Sequence, residues 1–86
     1  MRSFPLTVST PQGDALCEEA VSIQLRGVEG ELAVMAGHVP FVTPVKPCEC
    51  KIELADGTVR FGRTDGGLLT VSGDKVTLLS GSFTWQ

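Results

Sequence analysis

The chain has 86 residues, 42% of them hydrophobic and 20% charged, and a formal net charge of -3. A domain of this length hides roughly 60–70% of its unfolded surface, and the composition excludes the disordered, collagen-like and low-complexity classes. The acidic balance offers no basic patch for phosphates, which argues against nucleic-acid partners and direct binding to anionic lipid.

The opening MRSFPLTVST lacks the apolar stretch of about 7–15 residues that a secretory signal carries, and no apolar run approaches the ~20 residues of a membrane span. A cytoplasmic protein not inserted in a membrane is the expectation. Three cysteines are an odd number without the framework of a secreted disulfide scaffold, so reduced thiols are expected. No linker or internal repeat is visible, and residues 1–86 read as a single domain.

Phe4, Leu6 and Val8 alternate with Pro5, Thr7 and Ser9, the period of a strand with one buried face. Val21, Ile23 and Leu25 alternate in the same way through residues 20–26, which predicts a second, long strand. Glu29 to Pro47 reads as a stiff loop, mostly apolar, with three prolines, two glutamates around Gly30 and the single histidine, His38. Cys48, Cys50, Ile52 and Leu54 oppose Glu49, Lys51 and Glu53, a half-buried pattern that sends both thiols to the core side. Ala55-Asp56-Gly57 is hairpin-turn chemistry, and TVRFGR is the return strand. LLTVS and KVTLLS, punctuated by Gly66-Gly67 and Gly73-Asp74, predict two more strands. No segment holds an apolar period of 3.6 over ten residues, so the predicted class is all-β, a flattened barrel or sandwich of two antiparallel sheets.

Few residues suit chemistry. Histidine is the side chain whose ordinary pKa lies nearest neutrality, and His38 has Glu29 and Glu31 nearby in sequence, but no nucleophile motif accompanies it, so the loop reads as a contact surface and not a hydrolase site. Cys48 and Cys50 share a strand face, yet a structural zinc site takes four ligands and only Cys17 and His38 remain, so small buried hydrophobes is the better reading. Gly66-Gly67 lacks the lysine pattern of a phosphate loop and reads as a tight turn. Glu29 and Glu31 lie too close in sequence for glycosidase carboxylates that face each other across a cleft. Phe83 and Trp85 fit either the end of a core strand or a docking group. No catalytic residue, cofactor or metal is expected.

The segments VEGELAVMAGHVPFVTPVKP, IELADGTVRFGRTDGGLLTV and DKVTLL, taken together, resemble the epsilon subunit of F-type ATP synthases over nearly the whole chain. The resemblance implies a β-sandwich on the rotating central stalk that binds the gamma subunit and the polar loops of the c-ring. It implies a coupling part without catalysis, associated peripherally with the cytoplasmic face of a bacterial membrane through the complex and monomeric when isolated. Glu31 matches an acidic residue that meets the ring, His38 and Thr43 match positions near gamma and the ring, and Thr10 and Glu29 belong to the same lower surface. Three departures predict local differences: Cys48 where the family commonly has glycine, Ala36 where proline is frequent and Pro44 where alanine is frequent. The family usually continues into a C-terminal helical hairpin that inhibits ATP hydrolysis and in some members binds ATP, so the resemblance covers the sandwich alone. The competing reading is a free-standing β-sandwich that binds a small ligand through the Glu29 to Thr43 loop.

Overall fold

Alternating apolar and polar residues build nearly all of the architecture seen in the computed structural model, which describes residues 2–37 and 39–86. Nine strands are present among these residues, and no helix. They are β1 (Phe4–Thr10), β2 (Gly13–Gly27), β3 (Gly30–Met35), β4 (Phe41–Val45), β5 (Cys48–Leu54), β6 (Val59–Thr64), β7 (Gly67–Val71), β8 (Val76–Ser80) and β9 (Phe83–Trp85). The inward residues of β1 (Phe4, Leu6, Val8) and β5 (Cys48, Cys50, Ile52, Leu54) are buried, as their alternation requires.

β2 is the organising strand because its 15 residues serve both layers. Its first half pairs with β1; its second half has β3 along one edge and β5 along the other, with a register shift between Ala20 and Ser22 where the chain passes between layers. One layer runs β1-β8-β7-β4 and returns to β2 at Gly27, and the other runs β2-β5-β6-β9. The pairings are antiparallel except β1 with β8, which is parallel and closes the first layer into a ring. The expected all-β sandwich therefore stands with two amendments: the two layers are joined through β2, and one ladder is parallel. Parallel pairing follows because β1 and β8 are far apart in the chain and need no hairpin to join them.

The stretch from Glu29 to Pro47 is not a loop. Gly30–Met35 and Phe41–Val45 are strands, and both alternate: Leu32 and Val34 face inward from β3, and Phe41, Thr43 and Val45 do so from β4. The prolines that suggested stiffness sit where strands accept them. Pro44 lies in β4, which meets β2 only at Gly27, and Pro47 lies in the corner before β5.

The core gathers Leu6, Val8, Ile23, Ile52, Leu69 and Leu78, all with essentially no exposure. Its buried polar groups are the Thr64 and Ser80 hydroxyls, which bond each other at 2.5 Å. Phe83 and Trp85 are half-buried and pack edge to face with ring centroids 4.9 Å apart, and the Arg60 guanidinium lies 3.7 Å over the Trp85 ring, so these aromatics finish the second layer.

Gly66-Gly67 is where β7 enters between its neighbours. A Cβ on Gly67 would overlap the Leu79 carbonyl oxygen, which is a steric reason for glycine beyond a turn's need for flexibility.

Candidate docking surface

Strand register places several of the singled-out residues on one rim. Gly30 pairs with Gly27, Gly27 with Val45, Val45 with Gly67 and Gly67 with Ser80, and Thr10 follows the Ser9–Leu79 pair beside Ser80. Thr10 and Gly30 of the β2–β3 tip thus share a rim, five strand spacings apart, or about 24 Å along the sheet. Thr43 lies two residues inside this rim on β4, half-buried, and its hydroxyl donates to the Pro44 carbonyl at 3.2 Å.

The β2–β3 tip is a tight turn in which Val28 and Glu29 project outward, and Val28 is 51% exposed. Positive φ falls on Gly30 (+123°), the position where a side chain would be strained. Glu31, the second residue of β3, lies opposite Arg26, and the Arg26 Nη2 lies 3.5 Å from the Glu31 Oε1. Beneath them the backbone of Arg26 is tied to the next corner: its N–H donates to the Cys48 Sγ at 3.3 Å and its carbonyl accepts from the Lys46 N–H at 3.0 Å. At the other end of the rim, the Thr10 hydroxyl donates to the Gly13 carbonyl at 2.8 Å and accepts from the Gln12 N–H at 3.2 Å, which braces the β1–β2 turn.

Residues 36, 37, 39 and 40 are elsewhere. Phe41 pairs with Val71, Val71 with Val76 and Val76 with Leu6, so β4 begins on the opposite rim, about 14 Å of strand away from Val45. Gly37 lies beside Arg2 on that rim. The expected single loop from Glu29 to Thr43 therefore divides between two ends of the molecule, because β3 and β4 carry the chain up and back. His38 falls outside the described residues.

Sequence reasoning missed an apolar outward row on the first rim. Pro44, Leu68 and Leu79 stand side by side across β4, β7 and β8, all exposed, and Val42 follows two residues further on β4 at 59% exposure. Leu79 shares a shallow groove with Thr10 and Pro11. The available signal was the doubled leucines of LLTVS and TLLS: in a strand, one of two adjacent leucines must face outward.

The outer face of β3, β2, β5 and β6 is of the other kind. It bears an open groove of about 660 Å³ whose lining includes Arg26, Glu31, Glu49, Lys51, Phe61 and Arg63. Both thiols of β5 are buried, Cys50 fully and Cys48 at the inner edge of this groove, which it helps to line. Burial, with the neighbouring Cys48 thiol as the lesser cause, pushes the Cys50 thiol up to about 12. Cys17 is exposed on β2, and no group of three or more metal-ligating side chains occurs among the described residues. Asp56, in the β5–β6 turn, is held below the usual carboxylate range by the Thr58 N–H, which donates to it at 2.9 Å.

The model of the ATP synthase delta/epsilon chain β-sandwich domain matches residues 3–86. The chain belongs to this family. Its relatives include the ATP synthase epsilon chains of Bacillus thuringiensis (strain Al Hakam) and Bacillus mycoides (strain KBAB4), each 32% identical over 82 residues covering 95% of this chain. The chain spans 61% of the length of these epsilon relatives. A chain in the Euglena gracilis mitochondrial ATP synthase, solved as an OSCP/F1/c-ring assembly, has a TM-score of 0.90 at 25% identity, over 96% of this chain and 53% of its own. A chain from the Tetrahymena thermophila mitochondrial ATP synthase central stalk and c-ring has the same fold, with a TM-score of 0.78 at 18% identity over 95% of this chain and 66% of its own. Among the described residues, no helix is long and apolar enough to cross a membrane.

Proposed function

We propose that the chain is the β-sandwich part of a non-catalytic central-stalk subunit of a proton- or sodium-translocating F-type ATP synthase, and that it links the gamma subunit to the polar loops of the c-ring. The observation that carries the proposal is the rim: an exposed carboxylate tip at Glu29 and Glu31 lies on the same end as the apolar row of Pro44, Leu68 and Leu79, in a chain of the delta/epsilon family. Buried apolar area supplies contact energy, and a charge at the edge supplies orientation. The Euglena relative comes from an assembly that includes a c-ring, which supports the same reading.

In this arrangement Glu29 and Glu31 meet cationic groups of a ring loop, Thr43 and Thr10 border the contact, and the apolar row packs on gamma. His38 joins the proposal on sequence resemblance alone. The subunit sits at the membrane surface through the complex, on the cytoplasmic face in a bacterium, and is a monomer when isolated.

The test is reconstitution. The tagged chain is mixed with the solubilised gamma–c-ring assembly, and co-purification and affinity are measured with and without Glu31→Ala. Retention that weakens on truncation supports the proposal. A chain that does not co-purify while its melting curve is intact would refute it and leave the small-ligand reading, with the open groove beside Glu31 as its site.

A further inference from the structure

The Arg26–Glu31 pair contributes little to the fold. Its side chains are 57% and 83% exposed and it has a single contact at 3.5 Å, which is the class of ion pair that water and salt largely cancel. Its placement is nevertheless unusually well determined. The two residues are direct cross-strand partners at the base of the tip, so their Cβ atoms are fixed relative to each other by the ladder. The Arg26 backbone is in turn held from the far side, through its N–H to the Cys48 Sγ and through its carbonyl to the Lys46 N–H. A long arginine side chain therefore starts from an anchored base and ends on one oxygen of Glu31. Among the described residues Glu31 is engaged through Oε1 only, which leaves Oε2 open to a second partner.

We propose that Arg26 is a positioning residue for Glu31: it holds one carboxylate oxygen so that the other is presented outward in a limited set of rotamers, with Cys48 fixing the backbone from which Arg26 reaches. The inference rests on the docking function proposed above for Glu31. A glutamate alone on an exposed strand loses rotamer freedom when it binds, whereas one already restrained loses less. Arg26 sits beside the contact and is not itself required to touch the partner.

Two measurements test this on the 86-residue chain, using Arg26→Gln, Arg26→Lys, Glu31→Gln and the Arg26→Gln/Glu31→Gln double variant. The first is the Glu31 side-chain rotamer distribution in the free protein, from three-bond NMR couplings. The second is affinity for the solubilised gamma–c-ring assembly. The expected result is a dominant Glu31 rotamer that becomes averaged in Arg26→Gln and is partly restored in Arg26→Lys. Affinity should fall about twofold to fivefold in Arg26→Gln, the double variant should bind no worse than Glu31→Gln alone, and melting temperatures should be unchanged. If Glu31→Gln weakens binding but Arg26→Gln leaves the rotamers or the affinity as in the parent, the positioning role is overturned and the docking role stands. Tighter binding by Arg26→Gln overturns it too, since Arg26 would then be competing for the carboxylate. If Glu31→Gln binds like the parent, the docking role of Glu31 fails and the positioning role fails with it.

Discussion

Strand β5 and the β2–β3 tip are joined by the contact between the Cys48 Sγ and the Arg26 N–H, yet they behave as opposites. On β5 every second side chain is buried and the intervening Glu49 and Lys51 are exposed, so its sequence is constrained by packing on one face and free on the other. At the tip, from Arg26 to Glu31, almost every side chain is exposed and the only buried residue is a glycine, Gly27. The difference teaches where substitutions should register. Changes on the inner face of β5 are changes in stability, and changes to the outward side chains of the tip are changes in binding that leave the folded state nearly untouched.

The strongest way to break this contrast is Cys50→Asp. A carboxylate at a position with no exposure must be desolvated or neutralised, and the fold should lose about 3 kcal/mol or more in denaturant titration. A variant that melts like the parent would mean β5 is not a core strand. Next comes alkali. The Cys50 thiol is raised from its ordinary 9.0 to about 12, so the unfolded chain ionises first; the stability it contributes is complete below pH 9 and is lost as pH rises toward 12. Between pH 9 and 10.5 the parent should lose about 2 kcal/mol that a Cys50→Ala variant does not lose, as read by paired urea titrations. No loss in the parent would place the thiol in contact with water.

At the tip, Gly30→Ala should cost about 1–2 kcal/mol from backbone strain alone, because a Cβ there meets no atom within 4 Å and positive φ is the whole penalty. Thermal denaturation checks it; a neutral result would mean that the turn relaxes freely. Smallest of all is Glu31→Ala, expected to change stability by less than about 0.5 kcal/mol while weakening binding to the gamma–c-ring assembly by roughly 1 kcal/mol, less in added salt. A large melting shift here would erase the distinction between tip and core.

Much of the first region was legible in the sequence, because period-2 alternation with small or branched residues has one physical meaning in a short strand. CECKIEL and FPLTVS are unambiguous in this way, and Ala55-Asp56-Gly57 forms the turn its chemistry demands, with Gly57 at φ +90° and its N–H bonded to the Leu54 carbonyl. The stretch from Glu29 to Pro47 was misjudged because prolines and glycines dominate a local reading, whereas register with β2 and β7 decides the outcome. Proline is tolerated in β4, and Gly30 and Gly37 frame β3 without interrupting it. The grouping of Thr10 with the tip follows from the ring of pairings, a property of distant partners that no local window contains. The outward leucines escaped notice for the same reason: LLTVS shows that one of its two leucines is exposed, but only the neighbouring strands show that Leu68 and Leu79 are adjacent.

The parallel ladder between β1 and β8 has a consequence for how the molecule comes into being. Residues 6–9 acquire these neighbours only from residues 76–79, so on a ribosome β1 is synthesised about 70 residues before its second partner exists. Such long-range closure is entropically late and slows folding relative to hairpin-only β proteins. Until that moment β1 has β2 on one side and an open edge on the other, the kind of strand that recruits other chains. Pro5, the second residue of β1, has no amide hydrogen, so the row of donors on which templated pairing depends is broken near the start of this strand.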